Sequence, residues 1–284
     1  MTNGITIRTM SEADLALAVD WAATEGWNPG LEDVACFRAA DSDGFLMATE
    51  GDEPVASISV VAYGESFGFL GFYIVRPDKR GQGIGWALWQ AGMARLDGRT
   101  VGLDGVVDQQ NNYRKSGFVL AHRNVRYAGP ARRTPKDVSS GSAPITRADF
   151  DDLAVFDQRH FGFGRPAFLK AWLFAPEHRA VLARDETGAI AGYGVSRPCR
   201  EGYKIAPLFA RTPEVAAVLF GDLTACIPEG VTVILDVPEP NPAAVALARE
   251  HSLEPVFETA RMYRGHPPDL PLDEIFGLTS FELG

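Results

Sequence analysis

The sequence predicts an α/β (α+β) protein of two domains, each a mixed, mostly antiparallel central sheet flanked by helices. Three observations carry that reading. The apolar run Phe67 to Val75 leads through a glycine-rich loop into a helical stretch beginning at Ile84. Val55 to Tyr63 reads as a long strand, and the short turn Gly64-Glu65-Ser66 joins it antiparallel to the next. The second half of the chain repeats motifs of the first at offsets of 132 to 136 residues, in the same order.

The stretch from Phe67 to Leu88 organises the first domain. Its strand is rich in aromatic and β-branched residues and ends at Arg76-Pro77-Asp78, where proline stops the ladder. Arg80-Gly81-Gln82-Gly83-Ile84-Gly85 follows. Apolar residues then recur at Ile84, Leu88 and Ala91, a helical period. Three glycines in five residues allow positive φ, so successive amides can point the same way. The helix N-terminus adds a positive dipole end, and Arg80 adds a fixed charge. The arrangement is a cradle for a pyrophosphate.

The details narrow which pyrophosphate. The dinucleotide fingerprint needs a third glycine where Trp86 stands, although Asp104 lies near the distance of a ribose-binding acid. The Gly-Lys-Ser/Thr ending of a nucleotide-triphosphate loop is absent. A nucleotide-binding oxidoreductase therefore stays an alternative, but it requires a parallel sheet of alternating strands and helices.

The remaining elements of the first half follow in order. Ile5 to Thr9 alternates like a strand, and Ser11 caps the next helix, with Asp14 at the capping-box position. The segment Glu25 to Gly30 breaks that helix, and Leu31 to Ala40 reads as a second one. Phe45 to Glu50 is a strand, as is Thr100 to Leu103. Asp108 to Lys115 is a short helix and Phe118 to Tyr127 a final strand.

Arg80-x-x-Gly83-x-Gly85, entered from a strand ending Val75-x-Pro77, resembles the coenzyme A loop of the GNAT superfamily of N-acetyltransferases. Tyr113, four residues before Gly117-Phe118, matches a tyrosine common in those domains, and the order of elements is theirs. The resemblance implies acetyl transfer from acetyl-CoA directly to an amine, with no metal. Backbone groups of Ile74 and Val75 would pair with the pantetheine arm, and Arg80, Gly81, Gln82, Gly83, Ile84 and Gly85 would hold the pyrophosphate. Tyr113 would protonate the departing thiolate. The amine must lose a proton, and Glu65 and Asp104, each at the end of a strand, are candidates to accept it. Glu25, Trp27 and Asn28 fall where such domains contact the acceptor. A non-catalytic acyl-CoA sensor is the other alternative, and retention of Tyr113 weighs against it.

The domains expected are 1–129 and 145–284, with a linker at 130–144 rich in Pro, Gly, Ser and basic residues. Ser11-x-Ala13-Asp14 recurs as Thr146-x-Ala148-Asp149, and Val101-Gly102-Leu103-Asp104 as Val233-Ile234-Leu235-Asp236. The repeat fails at the loop, where Arg211-Thr212-Pro213-Glu214 replaces the glycines with an ordinary helix opening. Ala248 stands in place of Tyr113. The second domain is expected to be silent, structural or a wall of the acceptor site.

Composition bounds the partners. A formal net charge of −10 over 284 residues argues against nucleic acid and suits a small cationic amine. No run of about 18 apolar residues or signal-peptide core is present, so a cytoplasmic protein without a membrane partner is expected, as monomer or homodimer. Cys36, Cys199 and Cys226 are scattered and odd in number, which reads as core filler rather than disulfides or a metal cluster.

Overall fold

The computed structural model describes residues 4–132 and 141–284. The first half runs β1 (Ile5–Thr9), α1 (Glu12–Thr24), α2 (Asp33–Ala40), β2 (Phe45–Glu50), β3 (Glu53–Tyr63), β4 (Phe67–Val75), α3 (Ile84–Arg95), β5 (Thr100–Val106), α4 (Gln110–Lys115) and β6 (Val119–Pro130). The second runs β7 (Ser142–Pro144), α5 (Phe150–Phe161), α6 (Pro166–Leu173), β8 (Arg179–Arg184), β9 (Ile190–Pro198), β10 (Tyr203–Ala210), α7 (Pro213–Thr224), β11 (Thr232–Pro238), α8 (Pro242–Glu250), β12 (Glu254–Arg264) and β13 (Ile275–Gly277). Most of the expected linker, residues 133–140, lies outside the described residues. Its margins are strand rather than loop, since β6 reaches Pro130 and β7 pairs with β8.

The repeat in sequence is a repeat in structure. Ser11 and Thr146 each open a helical segment with a full capping box, in which the acid three residues on accepts from the cap's own N–H. In both halves the strand before the loop runs parallel to the strand after the helix, β4 with β5 and β10 with β11.

The two half-sheets are one sheet, because the halves exchange their final strands. The order through the centre is β4-β5-β12-β6-β11-β10. Strand β12 lies antiparallel to β5, from Val106 opposite Thr259 to Val101 opposite Arg264, and β6 lies antiparallel to β11. Each half therefore completes its sheet with the other's last strand. Repeated acids fasten both exchanges. Asp104 on β5 accepts from Arg261 on β12, and its repeat partner Asp236 on β11 accepts from Arg126 on β6. Helices bridge the halves too, with Phe37 of α2 stacked on Trp172 of α6 at 6.1 Å in a shared core.

Among the described residues no helix is long and apolar enough to cross a membrane. Cys36 and Cys199 are buried, as core filler should be, but Cys226 is exposed just beyond the end of α7.

Candidate active site

Strands β4 and β5 part company halfway along. Their parallel pairing runs only from Phe67 opposite Thr100 to Leu70 opposite Leu103. Beyond that point Gly71 to Val75 line a cleft of about 410 Å³. A bulge in the β3–β4 ladder falls at the same place, with Phe72 at φ 44° and its carbonyl accepting from the Ser57 hydroxyl at 2.8 Å. The Arg76 amide donates to the Val55 carbonyl of the neighbouring strand. Alternation then turns the peptide groups of Ile74 toward β3 and those of Val75 toward the open gap. The Val75 carbonyl accepts there from Arg80 Nε at 2.9 Å.

The glycine loop takes the form its composition demands. Gly81 and Gly83 have φ of 77° and 80°, and Gly83 is the cap of α3, with no acid in the first turn. The first bond into the helix is the Ala87 amide to the Gly83 carbonyl, so the amides of Ile84, Gly85 and Trp86 have no intrahelical acceptor. A Cβ on Gly85 would stand 2.9 Å from the Tyr73 hydroxyl and 3.0 Å from Val75, so that helix start can seat against β4 only as glycine. An anion at these amides would meet the positive end of the helix.

Tyr113 lies across the cleft from the bulge. Its ring covers Gly105 of β5, where a Cβ would come within 2.8 Å, and stacks with Trp89 at 5.6 Å. Burial raises the phenol's pKa well above its ordinary value, so the hydroxyl stays protonated at neutral pH. Tyr73 also lines the cleft, and burial pushes its pKa up to about 12. Sequence reasoning passed over Tyr73, which reads there as one more aromatic in a strand.

Neither carboxylate expected to serve as base is free to do so. Glu65 is exposed in the β3–β4 turn, at the end of β4 remote from the cleft. Asp104 borders the cleft, but both its oxygens are bound to Arg261 at 2.8 Å, and Asn124 donates to one at 2.7 Å. It is a strand-exchange clamp.

The acceptor loop Glu25 to Gly30 is held by the second half of the chain. The Trp27 carbonyl accepts from Arg126 at 3.0 Å and from the buried Lys204 ammonium at 3.1 Å. Asn28 is spent on Glu201, donating to its carbonyl at 2.8 Å and accepting from its amide at 2.9 Å, and so points away from the cleft. Glu25 does line the cleft, paired to Arg80 at 2.7 Å. Trp27 lines it as well.

The second half also contributes walls. Phe257 and Thr259 of β12, and Phe281 and Glu282 beyond β13, line the cleft as well. The guanidinium of Arg126 lies 4.9 Å from the Phe281 ring and 5.7 Å from that of Phe257.

The corresponding notch of the second half is filled. Strands β10 and β11 pair only at Tyr203–Val233 and Lys204–Ile234 before they diverge. Strand β13 occupies the gap, pairing with β10, and the Leu278 amide donates to the Asp236 carbonyl of β11 at 2.8 Å. Helix α7 opens with Thr212 as cap and Glu214 in its first turn, and Arg211 pairs with Asp185. This half thus has an acid where the first half has its glycine cradle and a strand where the first half has its open gap.

A fold of this kind with one open notch, a glycine cradle and a buried tyrosine defines an acyl-CoA-dependent transferase, and the chain belongs to the GNAT superfamily of acetyltransferases. Residues 13–118 match the acetyltransferase (GNAT) family, and residues 153–277 match an acetyltransferase (GNAT) domain model. The chain is 34% identical over 265 residues to holothin acyltransferase of Pseudoalteromonas sp., covering 93% of this chain and 90% of that one. A crystal structure from Pyrococcus horikoshii, described as a candidate acetyltransferase, superposes with a TM-score of 0.84 at 22% identity, over 99% of this chain and 96% of that one. A tandem GNAT protein of the clavulanic acid biosynthesis pathway superposes with a TM-score of 0.62 at 14% identity, over 93% and 100% of the two chains.

Proposed function

We propose that the protein transfers an acetyl group from acetyl-CoA directly to the primary amine of a small acceptor. The observation that carries this reading is the glycine cradle of α3 opening onto the same cleft as Tyr113. In it the loop amides from Gly81 to Gly85 bind the pyrophosphate, and the gap-facing groups of Val75 pair with the pantetheine arm. The thioester carbon comes to rest at the Phe72 bulge. The amine attacks that carbon, the C–S bond breaks, and the Tyr113 hydroxyl gives its proton to the thiolate. Carboxylates of Glu25, Asp108 and Glu282 on the cleft wall favour an acceptor that arrives as a cation.

The test is calorimetric titration with acetyl-CoA, with NADH and NADPH as controls, followed by thiol release on addition of amines. Holothin, the acceptor in the relative's name, is the first to try. One saturable acetyl-CoA site per chain and acceptor-dependent thiol release are expected. A nicotinamide nucleotide bound in place of acetyl-CoA would overturn the reading.

A further inference from the structure

A direct transferase needs a group to take the proton of the attacking amine, and both acids expected for that role are disqualified. The cleft wall holds one other carboxylate in the right place. Glu282 follows β13, in the segment that leaves the second half's notch and enters that of the first. Its main chain lies on Gly71, whose Cβ would come within 2.2 Å of the Glu282 carbonyl oxygen. The Ser59 hydroxyl reaches that oxygen at 3.4 Å, and the Tyr63 hydroxyl fixes the next carbonyl, of Leu283, at 2.9 Å. Gly71 is the first residue of β4 beyond the last β4–β5 pair and directly precedes the bulge at Phe72. Glu282 is thus anchored by its backbone at the fork of the cleft, and it is among the residues that line the cleft.

The side chain is 4% exposed and no described residue donates a hydrogen bond to its carboxylate, unlike Asp104, Asp236, Asp33 and Asp157, which are each held by an arginine. A buried carboxylate without a donor is costly unless it has a use or a countercharge. Countercharge is present at one remove. Lys204, Arg126 and Arg197 face it and lower its proton affinity, Asp33 raises it, and burial has the largest effect, leaving the pKa above that of an ordinary glutamate. The result is a carboxylate of raised basicity with three cations nearby.

We infer that Glu282 is the general base of the first half's cleft, supplied across the domain exchange by the end of the second half. This rests on the acetyltransferase reading above. The acceptor's ammonium gives one proton to the Glu282 carboxylate. Its nitrogen pair forms the C–N bond as the carbonyl π pair moves to oxygen. The tetrahedral centre then collapses with the C–S pair leaving on sulfur, and the second nitrogen proton departs to solvent. Tyr113 protonates the thiolate and is reprotonated by Glu282, so one proton is released to solvent per ammonium consumed.

The experiment compares wild type with Glu282→Gln, using holothin as acceptor and acetyl-CoA calorimetry as the control for folding. Unchanged acetyl-CoA affinity is expected, with turnover at neutral pH lowered by about 10²-fold or more. The rate of the variant should then climb about tenfold per pH unit, as the ammonium loses its proton unaided, while the wild-type profile is flatter. A merely structural residue would not change that slope. Unchanged turnover and profile in a variant that binds acetyl-CoA would overturn the inference. Failure of the wild type to bind acetyl-CoA would instead bring down the donor reading beneath it. An infrared difference spectrum of wild type against the variant gives an acceptor-independent check. Glu282 must be ionised at the working pH, and a protonated carboxyl there would overturn its role as base.

Discussion

Asp104 on β5 and Arg261 on β12 form a fully buried, two-bond ion pair, 2.8 Å on each arm, between strands of opposite halves. The repeat-related Asp236 and Arg126 form its counterpart at 2.7 and 2.8 Å. Removing one partner of such a pair leaves a buried charge. Asp104→Ala should therefore cost about 3–5 kcal/mol in stability. The double variant Asp104→Leu with Arg261→Met should recover most of it. Chemical denaturation of the single and double variants measures both effects. A double variant as unstable as the single one would show that the acid has another essential role.

The cradle predicts a steric outcome. Gly83→Glu puts a carboxylate at the start of α3 and forces φ of 80° on a residue with a Cβ, so acetyl-CoA binding should be lost. Gly85→Leu should act the same way through its clash with Tyr73 and Val75. Calorimetry on folded variants decides the matter, and a wild-type affinity in either would disprove the loop assignment.

Tyr113→Phe keeps the ring on Gly105 and the stack on Trp89 but removes the proton donor. Acetyl-CoA should bind as before while turnover slows by about 10²-fold. Because burial raises the phenol's pKa, the wild-type rate should show no alkaline loss near pH 10, where an ordinary tyrosine ionises. Single-turnover kinetics across that range would reveal a break if the phenol were solvated.

Two histidines bear on stability toward acid. Burial, helped by Arg261 for His122 and by Arg197 for His178, lowers each pKa from 6.5 to about 4. Each ring also has a buried Nε2 with no hydrogen-bond partner among the described residues. The unfolded chain binds more protons than the folded one between those values. Their contribution is fully present above pH 6.5 and is lost as pH falls toward about 4. Melting temperatures should fall across that window, and the fall should be shallower in His122→Phe.

The central hairpin, the glycine cradle, the capping boxes and the repeat were legible in the sequence because each is local. Glycine spacing reports positive φ, a serine three residues before an acid reports a cap, and period reports element type. Tyr113 was legible by its distance from Gly117-Phe118. The exchange of β6 and β12 was not, because a strand's composition states that it pairs but not with which neighbour. That gap explains the misreading of Asp104. Its place at the end of a strand reads as chemistry when Arg261 cannot be placed opposite, and as a clamp once it is. Asn28 failed likewise, since its partner, Glu201, is 173 residues away. Phe281-Glu282-Leu283-Gly284 is apolar enough to read as a segment that docks near the cleft, but nothing in it singles out the Glu282 side chain.

The strand exchange bears on how such a chain can have evolved. A duplicated domain that merely sat beside its parent could decay and be deleted once its own cleft closed. Here deletion of residues 145–284 would strip β5 of its partner β12, open the sheet at Val101 to Val106 and remove Phe257, Phe281 and Glu282 from the cleft. The half whose notch is filled is thereby made structurally indispensable to the half whose notch is open.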